Sequence, residues 1–198
     1  MTTIVAVQGN GWAVVGSDSR VTEEDGRVYV LPKGSAKVAR NRAYLLGAAG
    51  DVRAINILQH AFRPPDAKNF VGSRLDKFIT SDFVPALRTC FNEQGYASVA
   101  GTKDQSDTSG SVVLAAINGS VYVIGEDYAW VKDTSGIYGL GSGSYYALGV
   151  LYALLPEGAA TTDVDKAKAA VRAALTVAAR LDAGTSAPFI VQVQSRPV

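Results

Sequence analysis

Apolar residues in this chain form short unbroken runs near the start and the middle, with helically spaced sets between them. Thr3-Ile-Val-Ala-Val7 is a β-branched run, Asn10-Gly11 is the dipeptide favoured in a type I′ turn, and Trp12-Ala-Val-Val15 returns, which together predict a hairpin. The pattern recurs as Ser111-Val-Val-Leu-Ala-Ala-Ile117, Asn118-Gly119 and Val121-Tyr-Val-Ile124, one supersecondary unit used twice and not a repeat array. Strands that are apolar at nearly every position must be covered on both faces.

Helices are available for that cover. After the strand-like Ala43-Tyr-Leu-Leu46, Asp51 caps a helix with Val52, Ile55, Leu58 and Phe62 at helical spacing, which Pro64-Pro65 stops. A second stretch carries Leu75, Phe78, Ile79, Leu87 and Phe91, with Pro85 marking a kink or a restart near Asp82. A third runs from about Ser144 to Leu155. The fourth is capped by Thr162-Asp163, shows Val164, Val171, Leu175, Ala178 and Leu181 on one face, and ends by Gly184. A last strand spans Phe189-Ile-Val-Gln-Val193. This order suits two stacked sheets with helical layers outside them. The polar stretch Ala100–Gly110 reads as a mobile loop. No linker interrupts the chain, so residues 1–198 are expected to form one domain.

Composition narrows the chemistry. Nineteen Lys+Arg against 18 Asp+Glu give a net charge of +1, too little field to hold nucleic acid or an anionic membrane. No basic leader with a cleavage motif and no apolar run of bilayer length is present, so a cytoplasmic protein is expected. The single histidine, His60, and the single cysteine, Cys90, exclude an internal disulfide and any zinc site built mainly from Cys and His. His60 lies inside an amphipathic helix and Cys90 among apolar helix positions, so a histidine-based triad is not expected.

A nucleophile without histidine needs a lysine or a free α-amine as base. If Met1 is removed, Thr2 has both a hydroxyl and an amine with a reference pKa of about 7.7–8.0. Gly16-Ser-Asp-Ser-Arg20 puts Asp18 at the exit of the strand beside Thr2, and Ala36-Lys37-Val38 puts a lysine in a strand-like stretch. Lys37 near Asp18 is placed to lower a hydroxyl pKa, although on these residues alone an ordinary Asp–Lys surface pair is the better reading.

The combination is more specific than its parts. Thr2-Thr-Ile-Val-Ala-Val7, Gly16-Ser-Asp-Ser-Arg20, Lys37-Val38, Leu46-Gly-Ala-Ala-Gly50, the central Asn-Gly hairpin, Gly141-Ser-Gly-Ser144 with Ala147-Leu-Gly-Val150, and Asp182-Ala-Gly-Thr185 resemble proteasome β-type subunits in order and spacing, over essentially the whole chain. The start is most similar to the bacterial HslV-type peptidase, and Asp-Ser-Arg and Gly-Ser-Gly-Ser are most similar to true proteasome β subunits.

The resemblance implies an α+β fold, the four-layer αββα sandwich of N-terminal nucleophile hydrolases. It implies Thr2 as the nucleophile, its α-amine as the proton carrier, Lys37 as the residue lowering the hydroxyl pKa and Asp18 as that lysine's carboxylate. Gly50 matches the oxyanion donor. Ser142 matches the serine near the amine, with a helix N-cap as its alternative role, and Asp182 matches the acid supporting that serine. Thr185 stands where the family commonly has serine. Val21, Ala48 and Val52 fall near specificity-pocket positions and imply an apolar, fairly open pocket. The spacing before Lys37 and the Asp-Val-Arg after Gly50 depart from the family pattern.

Neither metal nor cofactor is implied. The partners implied are unfolded protein or peptide as substrate, copies of the chain in a ring, and a separate ATP-dependent unfoldase, since no GxxxxGK[ST] phosphate loop occurs here. A non-catalytic structural ring subunit of the same fold and a small-molecule N-terminal nucleophile amidase are the alternative readings.

Overall fold

The computed structural model describes residues 1–23, 25–32, 36–96 and 110–197. In chain order the strands are β1 (Ile4–Gln8), β2 (Trp12–Ser17), β3 (Arg20–Thr22), β4 (Val28–Val30), β5 (Val38–Asn41), β6 (Tyr44–Ala49), β7 (Val112–Ile117), β8 (Ser120–Ile124), β9 (Trp130–Val131), β10 (Ile137–Leu140) and β11 (Ile190–Ser195). The helices are α1 (Val52–Asn56), α2 (Gly72–Phe78), α3 (Val84–Glu93), α4 (Ser144–Leu154) and α5 (Val164–Leu181).

One antiparallel sheet has the order β10-β1-β2-β11 and a second the order β5-β6-β7-β8-β9, while β3 and β4 form a small separate hairpin. Alternation along each strand sorts the apolar residues into three layers. Val5, Val7 and Val14 face α4 and α5, meeting Ala147, Leu151, Val171 and Leu175. Their neighbours Ile4, Ala6, Ala13 and Val15 face the other sheet, against Leu45, Leu114, Ala116 and Val121. Tyr44, Leu46, Val113 and Ala115 face outward to Leu58, Leu75, Phe83 and Leu87. The architecture is therefore helix, sheet, sheet, helix, and it explains why both hairpins are apolar at nearly every position.

Local chemistry follows the sequence with two differences. Asp51 caps α1 by accepting from the Arg53 N–H at 2.8 Å, and Asp163 caps α5 by accepting from Lys166 N–H at 2.8 Å. The restart expected near Asp82 takes the form of a π-helical turn over Ile79–Phe83, so Pro85 falls in the first turn of α3, and a second π-helical turn, Ile57–Ala61, follows α1. The two Asn-Gly turns also differ. Asn118 (φ 50°) and Gly119 (φ 75°) both lie in the left-handed region, as a type I′ turn requires. In the first turn only Gly11 does, at 79°, and a longer connection closes through Gly9 N–H to Trp12 O at 2.9 Å. The stretch 100–109 of the expected mobile loop lies outside the described residues.

Phe83 is fully buried, stacked on Tyr44 at 5.2 Å and edge-on to Phe62 at 5.5 Å. Phe83→Ala is expected to cost about 3–5 kcal/mol of stability, measured by denaturant unfolding.

Candidate active site

The sheet topology gathers the residues named from sequence at one end of the sandwich. Ile4, the first residue of β1, pairs with Ser17 at the end of β2 and with Leu140 at the end of β10. Ile190, which opens β11, also pairs with Ser17. Thr2 and Thr3, Asp18, Gly141-Ser142 and Thr185-Ser186 are the residues just beyond these strand ends, and Gly50 follows the end of β6.

Asp18 is wholly buried and organises the cluster. Its Oδ1 accepts from the Thr3 N–H at 2.9 Å and from Lys37 Nζ at 2.8 Å, and its Oδ2 accepts from the N–H groups of Arg20 at 2.9 Å and Ser186 at 3.4 Å. Lys37 is equally buried, just before β5, and its Nζ also donates to the Met1 carbonyl at 3.1 Å. That places the ammonium at the Met1–Thr2 peptide bond. Burial pulls the Lys37 pKa below the ordinary lysine value, and the Asp18 charge opposes it without cancelling it.

A second, hydroxyl-based chain runs alongside. Thr185 donates to Asp182 Oδ2 at 2.5 Å, so its Oγ1, 2.5 Å from Thr3 Oγ1, must accept from Thr3. Ser142 donates to the same Asp182 oxygen at 2.9 Å, and the Gly184 N–H reaches Oδ1 at 3.3 Å. Burial would raise the Asp182 pKa, but the bonds from Thr185, Ser142 and Gly184, with the nearby amino terminus, hold it below the usual carboxylate range. Ser142 does not cap α4, since the N-cap is Gly143 without a side-chain bond.

Thr2 is 5% exposed, and its hydroxyl has no hydrogen-bond partner among the described residues. Two cavities meet at Met1, Thr2 and Gly50, one of about 830 Å³ and one of about 430 Å³. Gly50 has φ 134°, and a Cβ there would sit 2.4 Å from Ser111 Oγ, which itself accepts the Asp51 N–H at 3.0 Å.

Thr2, Asp18, Lys37, Gly50, Ser142, Asp182 and Thr185 thus lie around one end of the fold. Val21 and Val52 line the larger cavity. Ala48 does not line either cavity: strand alternation along β6 turns it toward the outer helix layer, while Ala49 faces the smaller cavity. The larger cavity is also more polar than expected, with Glu23, Asp25, Arg27 and Asp51 in its wall.

Sequence reasoning missed Thr3, whose N–H and hydroxyl join the two chains, and Ser111, which fixes the turn at Gly50. Two successive threonines entering a strand send one hydroxyl to each side, and that alternation was the available signal for Thr3.

No family model and no curated protein matches this sequence. Solved structures do match in fold. BPH of Thiobacillus denitrificans in complex with epoxomicin aligns with a TM-score of 0.73 and 20% identity over 100% of both chains. A second structure of BPH from Thiobacillus denitrificans gives 0.72 and 21% over 99% of both. Eukaryotic HslV from Trypanosoma brucei gives 0.64 and 18% over 98% of this chain and 99% of that one. The chain shares with them the α+β, four-layer αββα fold of the N-terminal nucleophile hydrolases.

Proposed function

We propose that this chain is an N-terminal threonine endopeptidase, a subunit of a self-compartmentalised ring particle that cleaves unfolded protein. The observation that carries the reading is the buried Lys37 ammonium, held by Asp18 at 2.8 Å and set against the Met1–Thr2 bond near a Thr2 hydroxyl that has no partner among the described residues. A buried ion pair is costly to form and is seldom kept for stability alone.

Hydrolysis of the Met1–Thr2 bond by water releases methionine, frees the Thr2 amine and leaves the Lys37 N–H that Met1 O engaged free to turn to Thr2, the ammonium keeping its charge. The Thr2 hydroxyl then attacks a peptide carbonyl while its own amine takes the proton, directly or through water, and returns it to the leaving amine. Lys37 favours the alkoxide by its charge. Gly50 N–H is the donor to the oxyanion, because the next N–H, that of Asp51, is already given to Ser111. Such a donor is worth about 2.7–4 kcal/mol of barrier. Asp182, with Ser142 and Thr185, lies on the amine's side and supports its charged form. The larger cavity, about 830 Å³, has room for a stretch of peptide, which favours this reading over a small-amide hydrolase. Enclosure in a ring keeps such a nucleophile from folded neighbours, and a separate ATP-dependent unfoldase feeds it.

Labelling with an epoxyketone such as epoxomicin, read by intact mass, tests the assignment. The expected result is one adduct on chains lacking Met1 and none on Thr2→Ala, with the particle, seen as a ring by electron microscopy, intact in both. An assembled wild type that takes no label supports the scaffold reading instead, and an active particle retaining Met1 on every chain sinks Thr2 as nucleophile.

With the amine as base, the cleavage rate is expected to rise with pH through about 7.7–8.0, the reference range of an α-amine. A pH–rate profile checks this, and a flat profile from about pH 6 to pH 9 contradicts it.

A further inference from the structure

We propose that the larger cavity beside Thr2 selects a lysine or arginine side chain on the substrate residue flanking the cleaved bond, through the carboxylates of Glu23 and Asp51. The proposal rests on the reading of Thr2 as nucleophile.

Charge pairing within the cavity wall leads to it. Lys37 is neutralised by Asp18. Arg27 is neutralised by Asp25, whose Oδ2 lies 2.5 Å from Nη2 and 2.6 Å from Nε. Arg27 also feels the Glu23 charge, but its ion pair is with Asp25, and Glu23 and Asp51 have no ion-pair partner among the described residues. Asp51 spends Oδ1 on the Arg53 N–H at the start of α1, while the Arg53 guanidinium turns away to the Gln94 carbonyl. Glu23 uses only its backbone in the turn that follows β3, its N–H donating to Arg27 O at 2.9 Å and its carbonyl accepting from Gly26 at 3.0 Å. The side chain has no hydrogen-bond partner among the described residues.

The apolar part of the same wall, Val21 and Val52, suits the methylene stem of a long basic side chain, and the carboxylates suit its charged head. Thr2, nearly buried with a hydroxyl that has no partner among the described residues, puts the reacting atom on the wall itself. The smaller cavity on the other side of Met1 and Thr2 differs: Ala49, Val112, Val123, Leu140 and Tyr145 line it, without a charged side chain among the described residues. Both carboxylates are exposed to solvent, so the preference is moderate and weakens with salt.

The test digests a denatured protein of known sequence with the assembled particle and sequences the fragment ends by mass spectrometry. Lys or Arg is expected at one flanking position about five- to tenfold above its frequency in the substrate, an electrostatic preference of ordinary size for exposed charges. In Glu23→Gln/Asp51→Asn that enrichment is expected to fall toward unity, since Asn keeps the helix cap and removes the charge. The ratio of basic to apolar cut sites is internal to each digest and does not depend on how much particle has folded. Cleavage without basic enrichment, or the same enrichment in the double variant, overturns the pocket alone. No cleavage together with no epoxyketone label overturns the peptidase reading, and the pocket with it.

Discussion

Lys37→Met is expected to slow epoxyketone labelling and peptide cleavage by on the order of 10³-fold or more and to destabilise the subunit by about 3–5 kcal/mol. The stability loss comes from Asp18. It keeps its N–H donors from Thr3, Arg20 and Ser186 but loses the one cation that pairs with it among the described residues, in a fully buried site. The activity loss comes from the charge that favours the Thr2 alkoxide. A companion variant separates the two: Lys37→Met with Asp18→Asn removes both charges, leaves the amide oxygen to accept from Thr3, and is expected to regain much of the stability and none of the activity. Equilibrium unfolding and single-turnover labelling on both variants decide it. A double variant that labels at the wild-type rate would remove Lys37 from the chemistry. Lys37→Arg is not a rescue, because a planar guanidinium is larger than the ammonium that fits the fully buried site 2.8 Å from Asp18.

Gly141→Ala carries the second large effect. Gly141 has φ 86°, and a Cβ built there falls 2.0 Å from the Thr2 carbonyl oxygen and 2.7 Å from its carbonyl carbon, both backbone atoms that cannot swing aside. Either the turn unfolds locally, at about 3–5 kcal/mol, or the Thr2 backbone retreats by about 1 Å. A shift of that size at a nucleophile costs about 10²-fold in rate. Gly149→Ala on α4 is the control: a Cβ there meets no atom within 4 Å, so a neutral or slightly stabilising change, up to about 1 kcal/mol, is expected. Thermal unfolding and labelling rates of the pair distinguish crowding at Thr2 from a general intolerance of added methyl groups.

The layering was legible because hydrophobic periodicity determines it. The runs at Ile4–Val7 and Val112–Ile117 have apolar side chains on both faces, which only a sheet buried between two other layers can satisfy. Capping carboxylates at Asp51 and Asp163 marked true helix starts for the same local reason. The π turn before Pro85 was not legible, since a one-residue slip in helical register leaves the apolar spacing nearly unchanged. Nor was the difference between the Asn10-Gly11 and Asn118-Gly119 turns, which depends on where the flanking strands stop pairing.

At the site, Asp18 and Lys37 were visible as residue types but not as a buried pair; that follows from the end of β2 lying against the start of β5, a long-range fact. Ala48 was misplaced because residue spacing does not say which side of β6 faces the cavity. Thr3 was passed over because its role comes from Asp18 on one side and Thr185 on the other, both far away in sequence.

The two Asn-Gly turns have a consequence of their own. A Cβ on Gly119 would fall 2.2 Å from the Gly11 carbonyl carbon, so the sheets touch backbone to backbone at the end remote from Thr2. Gln8 and Gln194 stitch the same end, accepting from the N–H groups of Val121 at 2.7 Å and Gly119 at 2.6 Å. One end of the sandwich is thus held by neutral fit and the other by carboxylates, so acid acts on them unequally. Asp182, held below the usual carboxylate range, contributes its stabilisation fully at neutral pH and loses it only as pH falls below about 4, through its lowered pKa. The remote clamp has no group that titrates there. Acid below about pH 4 is therefore expected to loosen the Thr2 end of the sandwich first, with the remote frame still standing.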